Sequence, residues 1–240
     1  MTHSLFISDL HLAPGRPATT DSFFGFLKGP AAQAEALYIL GDLFEYWVGD
    51  DDLSDPFNAS VAAALGALSR RGVAVNLMQG NRDVLMGDEF AGRCGGRLLA
   101  DPAILDLYGK PTLVMHGDTL CTDDVEYMKW RAKARDPAFQ ASFLGQPIPE
   151  RKRLIVGMRR KSEEHKQGQS PAIMDVAKPT VERVLRDFNY PRLIHGHTHR
   201  PARHVHRIDG HDCERWVLTD WYGSGGYLRC DASGCTVTAL

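Results

Sequence analysis

Leu5-Phe6-Ile7-Ser8-Asp9-Leu10-His11 sets the pattern from which the fold is read: a short apolar run stops at a carboxylate and an imidazole. The same form returns in Leu37-Tyr38-Ile39-Leu40 before Gly41-Asp42, and over residues 73–78 before Gly80-Asn81. It returns again over 112–115 before His116, at Leu193-Ile194 before His195, and over 216–219 before Asp220. Runs this short, rich in branched and aromatic residues and closed by turn formers, read as buried strands ending in loops. Helical patterns over 21–27 and 59–71 separate the first strands, which predicts a sheet covered on both faces. In such α/β sheets function collects at the carboxyl ends of the strands. The tail, residues 227–239, carries Asp231-Ala232-Ser233-Gly234 between two alternating runs and predicts an edge hairpin.

Residues 124–190 break this rhythm. Trp130, Phe139, Phe143, Leu154, Ile155 and Met158 recur there at helix-compatible spacings, so the stretch reads as a helical insertion within a single domain. Between Lys129 and Lys166 eleven Lys and Arg face four acids. That excess of +7, in a chain of net charge −2, leaves −9 on the remainder. A basic, apolar insertion points to an anionic amphipathic partner, a phosphorylated substrate or an anionic lipid surface, ahead of nucleic acid. A merely solvated basic face is the alternative.

The 240 residues, with 28 Lys+Arg against 30 Asp+Glu and 43% hydrophobic residues, suit one globular domain and exclude disordered or collagen-like chains. No apolar run reaches the ~18 residues of a membrane span. The N-terminus meets Asp9 and His11 before a signal peptide could be completed, so a cytoplasmic protein starting near Met1 is expected. Five cysteines, Cys94, Cys121, Cys213, Cys230 and Cys235, form no C-x-x-C pair and read as reduced thiols.

Each polar cluster alone could be a turn or a surface loop. Together, Asp-x-His, Gly-Asp, Gly-Asn, His-Gly-Asp and His-Gly-His, each after an apolar run, place carboxylate, amide and imidazole donors around one cleft. That donor set suits two divalent cations with open positions. Holding two ions about 3.5–4 Å apart needs a bridging carboxylate, and Asp42, on an inner strand, is the natural bridge.

Through Asp9-x-His11, Gly41-Asp42, Gly80-Asn81, His116 and Gly196-His197 the chain resembles the calcineurin-like metallophosphoesterases. The resemblance implies an α/β fold with a β-sandwich core flanked by helices, to which the insertion adds a helical lid. It implies Asp9, His11, Asp42 and His197 on one metal and Asp42, Asn81, His116 and His195 on the other. His199 is left as a neighbour without a ligand role.

Where most of that superfamily carries Gly-Asn-His, this chain reads Gly80-Asn81-Arg82-Asp83. An arginine, with a pKa above about 12, cannot act as a general acid but can clamp phosphate oxygens. The leaving group should then need no proton, which fits a phosphate monoester expelled from a pyrophosphate. This variant, with residues 116–124 and Ile173-Met174-Asp175-Val176, resembles the UDP-2,3-diacylglucosamine diphosphatases of lipid A biosynthesis over nearly the whole chain. That resemblance implies hydrolysis of the nucleotide-activated lipid at its α-phosphorus to UMP and 2,3-diacylglucosamine 1-phosphate, with two manganese ions. It further implies a peripheral place on the cytoplasmic face of the inner membrane, with no nucleic acid and no obligatory protein partner. Asp42, Asn81, Arg82 and His116 would be catalytic. Asn81, Arg82, Asp124, Ser162, Lys166 and His195 match substrate-contacting positions, and Gln169 stands where the family has a lysine.

Other residues carry two readings. Asp83 either holds Arg82 or makes a turn contact, and Asp118 and Asp220 either orient ligand imidazoles or cap loops. Trp47 reads as a core aromatic ahead of a cleft wall, and His3, His204, His206 and His211 as surface residues. Phe139, Phe143, Leu154, Ile155 and Met158 form a helical core by spacing and an acyl pocket by resemblance. Two other functions compete: a two-metal enzyme for a soluble nucleotide or phosphoprotein, and a non-catalytic scaffold. The scaffold predicts eroded ligands, yet all seven expected positions are filled.

Overall fold

The apolar runs become strands buried on both faces, and two sheets share them. A computed structural model describes residues 2–167, 173, 175–223 and 225–240, with the backbone alone for 161–167. One sheet contains β1 (Ser4–Ile7), β2 (Ala36–Leu40), β3 (Ala74–Met78) and β4 (Arg97–Leu98), together with the tail strands β10 (Gly226–Asp231) and β11 (Gly234–Ala239). Its order is β11-β10-β1-β2-β3-β4, parallel except where the tail joins. The other contains β5 (Ala103–Leu107), β6 (Lys110–Met115), β7 (Arg192–His195), β8 (Ala202–Ile208) and β9 (His211–Val217), in the order β5-β6-β7-β9-β8.

Alternation along each strand splits its side chains between two cores. Leu5 and Ile7 of β1 join Leu37, Ile39 and Leu77 beneath α1 (Pro17–Lys28), α2 (Pro56–Arg70) and α3 (Asp88–Arg93). Phe6 points the other way, stacks on Tyr38 at 4.6 Å, and packs with Val114, Ile194 and Trp216 of the facing sheet. On the far side α7 (Lys178–Asp187) sets Val181 and Leu185 against Leu113, Met115 and Leu193. The result is a helix–sheet–sheet–helix sandwich, the expected architecture.

Helices α4 (Val125–Ala134), α5 (Pro137–Leu144) and α6 (Ile148–Gln167) fall within residues 124–190, while α7 at the end of that stretch belongs to the core layers. Much of the basic excess of α4 and α6 faces inward. Arg131 and Arg135 pair with Asp118, Arg151 with Asp51, Lys152 with Asp52 and Asp55, and Arg159 with Glu45. The −9 of the remainder and the +7 of the insertion thus meet within the molecule as well as at its surface.

One cysteine reading is corrected. Cys230 and Cys235 are joined in a disulfide, because the β10–β11 hairpin sets them directly opposite each other. Cys94, Cys121 and Cys213 are buried free thiols. Among the described residues no helix is long and apolar enough to cross a membrane.

Candidate metal centre

The donor residues arrive on loops that continue the strand pairing past the strand ends. Asp9 N–H donates to the Gly41 carbonyl at 3.1 Å, and His11 N–H to that of Asp42 at 3.0 Å. Gly196 N–H donates to the His116 carbonyl at 2.9 Å, and Trp221 N–H to that of Asp9 at 3.1 Å. Asp9, His11, Asp42, His197 and His199 all lie at positive φ, between 50° and 69°. Non-glycine residues held there cost about 1–3 kcal/mol each, and such strain collects where geometry serves a site.

The motif glycines have a steric cause. A Cβ on Gly80 would sit 2.1 Å from Asp42 Oδ1, and one on Gly41 2.5 Å from His116 Nδ1. Only glycine lets the β2 and β3 loops close up enough to bring Asp42, Asn81 and His116 together.

Two groups of donor atoms converge within 4.8 Å: Asp9 with His11 and His199, and Asp9 with Asp42 and His116. Asn81 adds its amide oxygen, 2.9 Å from both His116 Nε2 and His197 Nδ1. His116 donates Nδ1–H to the Leu40 carbonyl at 2.9 Å, which turns Nε2 towards the centre. His197 donates its backbone N–H to Asp9 Oδ2 at 2.9 Å. His195 ends β7 fully buried. Arg215, which only donates, lies 3.0 Å from its Nε2, so Nδ1–H donates to the Gly196 carbonyl at 2.8 Å.

This donor set fits divalent cations. Asp9 Oδ1 and His11 Nδ1 are buried without a well-formed hydrogen bond, Asp9 Oδ1 meeting only His199 Nε2 at 3.3 Å and His11 Nδ1 only Glu45 at 3.6 Å, a state that a bound cation relieves. Burial, opposed by Asp9, brings His11 down to about 2; burial likewise brings His195 and His197 down to about 3. All three are therefore neutral imidazoles, the form that binds metal, but His195 has both ring nitrogens engaged, Nε2 by Arg215 and Nδ1 by the Gly196 carbonyl. Burial, reinforced by Asp83 and Asp9 and opposed by His116, raises Asp42 to about 7. Burial would lower His116, but Asp42, Asp118 and Asp9 raise it to about 9. Carboxylates this crowded call for positive charge between them.

Several residues take roles the sequence left open. Asp83 accepts N–H bonds from Gly80 at 2.7 Å, Leu43 at 2.8 Å, and Asp42 and Phe44 at 3.3 Å. It therefore organises the Asp42 turn. Asp118 orients no imidazole; it binds Arg131 at 2.8 Å and the Tyr127 hydroxyl at 2.9 Å, fastening α4 to the core. Asp220 faces His199 Nδ1 at 3.9 Å. His199, expected to stand aside, brings Nε2 to 3.3 Å from Asp9 Oδ1. Glu45, which no motif marked, lies 3.6 Å from His11 Nδ1 and 2.5 Å from Arg159 of α6. Trp47 meets both readings: it is only 2% exposed, packs in the core and donates to Asp50, and it also borders the cavity beside Arg82.

A cavity opens from Asn81 and Arg82 against helices α4, α5 and α6, walled by Trp130, Phe139, Phe143, Ile155 and Met158, with Trp47 and Tyr127 at its sides. Leu154 is not among its walls. Asp124 caps α4 by accepting from Tyr127 N–H at 2.9 Å. The side chains of Ser162 and Lys166, and Gln169 altogether, lie outside the described residues.

The calcineurin-like phosphoesterase family profile matches residues 2–201. UDP-2,3-diacylglucosamine hydrolase of Aromatoleum aromaticum is 52% identical over 231 residues, 96% of this chain and 94% of its own. The proteins of that name from Xanthomonas campestris pv. campestris (strain B100) and Stenotrophomonas maltophilia (strain K279a) are each 50% identical over 244 residues. Both alignments cover 99% of this chain and 98% of theirs. A solved structure of a hypothetical protein from Pyrococcus horikoshii superposes with a TM-score of 0.50 at 11% identity. It covers 100% of this chain and 88% of that one, a likeness of fold alone. Strand-end donors crowded for cations, a family profile over most of the chain and relatives at half identity agree: this chain is a metal-dependent hydrolase of the calcineurin-like phosphoesterase family, in the group named UDP-2,3-diacylglucosamine hydrolase.

Proposed function

We propose that this chain hydrolyses the pyrophosphate bond of UDP-2,3-diacylglucosamine, giving UMP and 2,3-diacylglucosamine 1-phosphate. The observation that carries this reading is the aromatic cavity opening from Arg82 and Asn81 beside the donor cluster. A phosphate clamp joined to an apolar chamber matches a substrate with a diphosphate at one end and acyl chains at the other. The names of the relatives point the same way.

Asp9, His11, Asp42 and His197 would hold one cation, and Asp42, Asn81, His116 and His195 the other, with His199 at hand beside Asp9. Bound there, two divalent ions, taken as manganese, supply an activated water and charge screening at phosphorus. Arg82 binds the diphosphate oxygens and withholds any proton. Asp42, Asn81 and His116 would be the catalytic residues, with His116 held by the Leu40 carbonyl and Asn81 beside it. Asp124, Ser162, Lys166, Gln169 and His195 complete the substrate contacts. Water oxygen adds to the phosphorus bearing uridine, the bond to the bridging oxygen breaks, and the lipid phosphate leaves as an anion. The proton of the water goes to solvent.

Val125, Trp130, Leu144 and Val156 lie exposed on lid helices that also carry exposed Lys129, Lys133 and Arg153. Exposed apolar and basic residues side by side in sequence suit peripheral binding to the anionic cytoplasmic surface of the inner membrane. The test is UMP release from the diacylated substrate in water enriched with heavy oxygen, using chelator-treated protein with metals restored singly. Label is expected in UMP and activity with manganese. Label in the lipid phosphate would reverse the direction of attack, and no UMP with any metal would overturn the reading.

A further inference from the structure

The apolar cavity accounts for the lipid half of that substrate and leaves the nucleoside half without a seat. Neither His11, His199, Arg16 nor Tyr222 lines the cavity. These four residues meet elsewhere. The Tyr222 ring, 49% exposed, lies 5.1 Å from the His11 ring and 5.4 Å from the His199 ring, centre to centre. The Arg16 guanidinium sits 4.0 Å from the Tyr222 ring centre.

The arrangement is fixed before any ligand arrives. Tyr222 N–H donates to Asp220 at 3.0 Å, and the preceding residue, buried Trp221, is tied to the Asp9 carbonyl at 3.1 Å. Arg16 donates to the His11 carbonyl at 3.4 Å and faces Glu45 at 3.8 Å. An aromatic ring half open to solvent, with a cation packed on it, lies against the donor cluster. Its loop is bonded to the Asp9 loop through Trp221.

Resting on the proposed hydrolysis, we propose that Arg16 and Tyr222 form the subsite for the nucleoside monophosphate half of the substrate. The α-phosphorus must sit at the donor cluster, and the ribose hangs from it by one ester oxygen. The nucleoside therefore falls beside His11 and His199, on the face away from the acyl chains. Arg16, seated on the Tyr222 ring, offers donors to the carbonyl oxygens of a pyrimidine, and the exposed rim of Tyr222 offers the base an apolar contact. Pre-organised groups of this kind lose little freedom on binding.

The test titrates UMP into the manganese-loaded full chain, as wild type and as Tyr222→Ala, Tyr222→Phe and Arg16→Ala. 2,3-Diacylglucosamine 1-phosphate is titrated in parallel, and metal content is measured for each. Tyr222→Ala and Arg16→Ala should weaken UMP about tenfold, with the lipid phosphate and metal content unmoved and with Tyr222→Phe close to wild type. KM for the whole substrate should rise more than kcat falls. Unchanged UMP affinity in both alanine variants would overturn the subsite, as would equal weakening of UMP and lipid phosphate or loss of metal. A wild type that binds UMP through these residues yet releases none from the diacylated substrate would overturn the hydrolysis reading and leave the subsite standing.

Discussion

Asp83 and Asp42 brace each other across two loops: Asp42 N–H donates to Asp83 Oδ1 at 3.3 Å, while Asp42 Oδ1 accepts from the N–H of Arg82, the residue before Asp83, at 2.8 Å. The strained turn at Asp42, with φ of 53°, is held by this exchange. Asp83→Ala should leave the N–H groups of Gly80 and Leu43 buried without acceptors, at about 1–3 kcal/mol each. The melting midpoint is expected to fall by roughly 5–15 °C, and turnover should fall with it. A calorimetric scan that matches wild type would remove Asp83 from this role.

Asp42 itself separates folding from chemistry. Asp42→Asn keeps an oxygen for the Arg82 N–H but removes a charge that two cations would share. Metal affinity should drop at least about a hundredfold, and turnover should be lost. In metal-free protein the sign is reversed. The folded carboxyl titrates near 7 against 3.8 when unfolded, so the folded state holds the extra proton. Wild-type stability should therefore decline as pH rises from about 4 to 7, and this part of the decline should vanish in Asp42→Asn. Denaturant titrations at several pH values read this directly, and parallel profiles for the two proteins would contradict it.

Arg151 reaches from α6 into the core and is only 1% exposed. It donates to the Val48 carbonyl at 2.6 Å and pairs with Asp51 through both guanidinium nitrogens. Arg151→Met keeps the apolar stem and loses the bonds, for an expected cost of about 1–3 kcal/mol. Thermolysin should then cut α6 faster than in wild type. An unchanged rate would mean that Lys152, paired with Asp52 and Asp55, suffices to seat the helix.

Phe139, Phe143 and Ile155 line the cavity rather than a closed helical core. Their joint replacement by serine should depress cleavage of the diacylated substrate at least about tenfold more than cleavage of a small activated phosphodiester. Equal losses on the two substrates would assign these side chains to structure alone.

The strands were legible because they obey a local rule: an apolar run sets the strand, and a polar residue closes it. Order and spacing put Asp42, Asn81 and His116 just past strand ends, while their expected places around metals came from the resemblance to the metallophosphoesterases. Glu45 and Arg159 were illegible for the opposite reason, since their ion pair joins residues that no spacing relates. Charge counting found the basic stretch but could not tell that Arg131, Arg135, Arg151, Lys152 and Arg159 pair with acids outside it. His199 and Asp83 stood in plain motifs, and only the folded loops show that one meets Asp9 and the other gathers the N–H groups of the Asp42 turn.

The pairing of β1 with β10 places the first strand beside one of the last, and the Trp221 N–H closes the same seam on Asp9. During synthesis β1 leaves the ribosome early and must wait for its antiparallel neighbour. The parallel partners β2 and β3 emerge sooner, but Asp9 gains its bonds from His197 and Trp221 only once residues 197–221 have been made. Long-range closure of this kind slows folding. The Asp9 loop can therefore meet its Gly41 partner long before its bonds from the far end of the chain close around it.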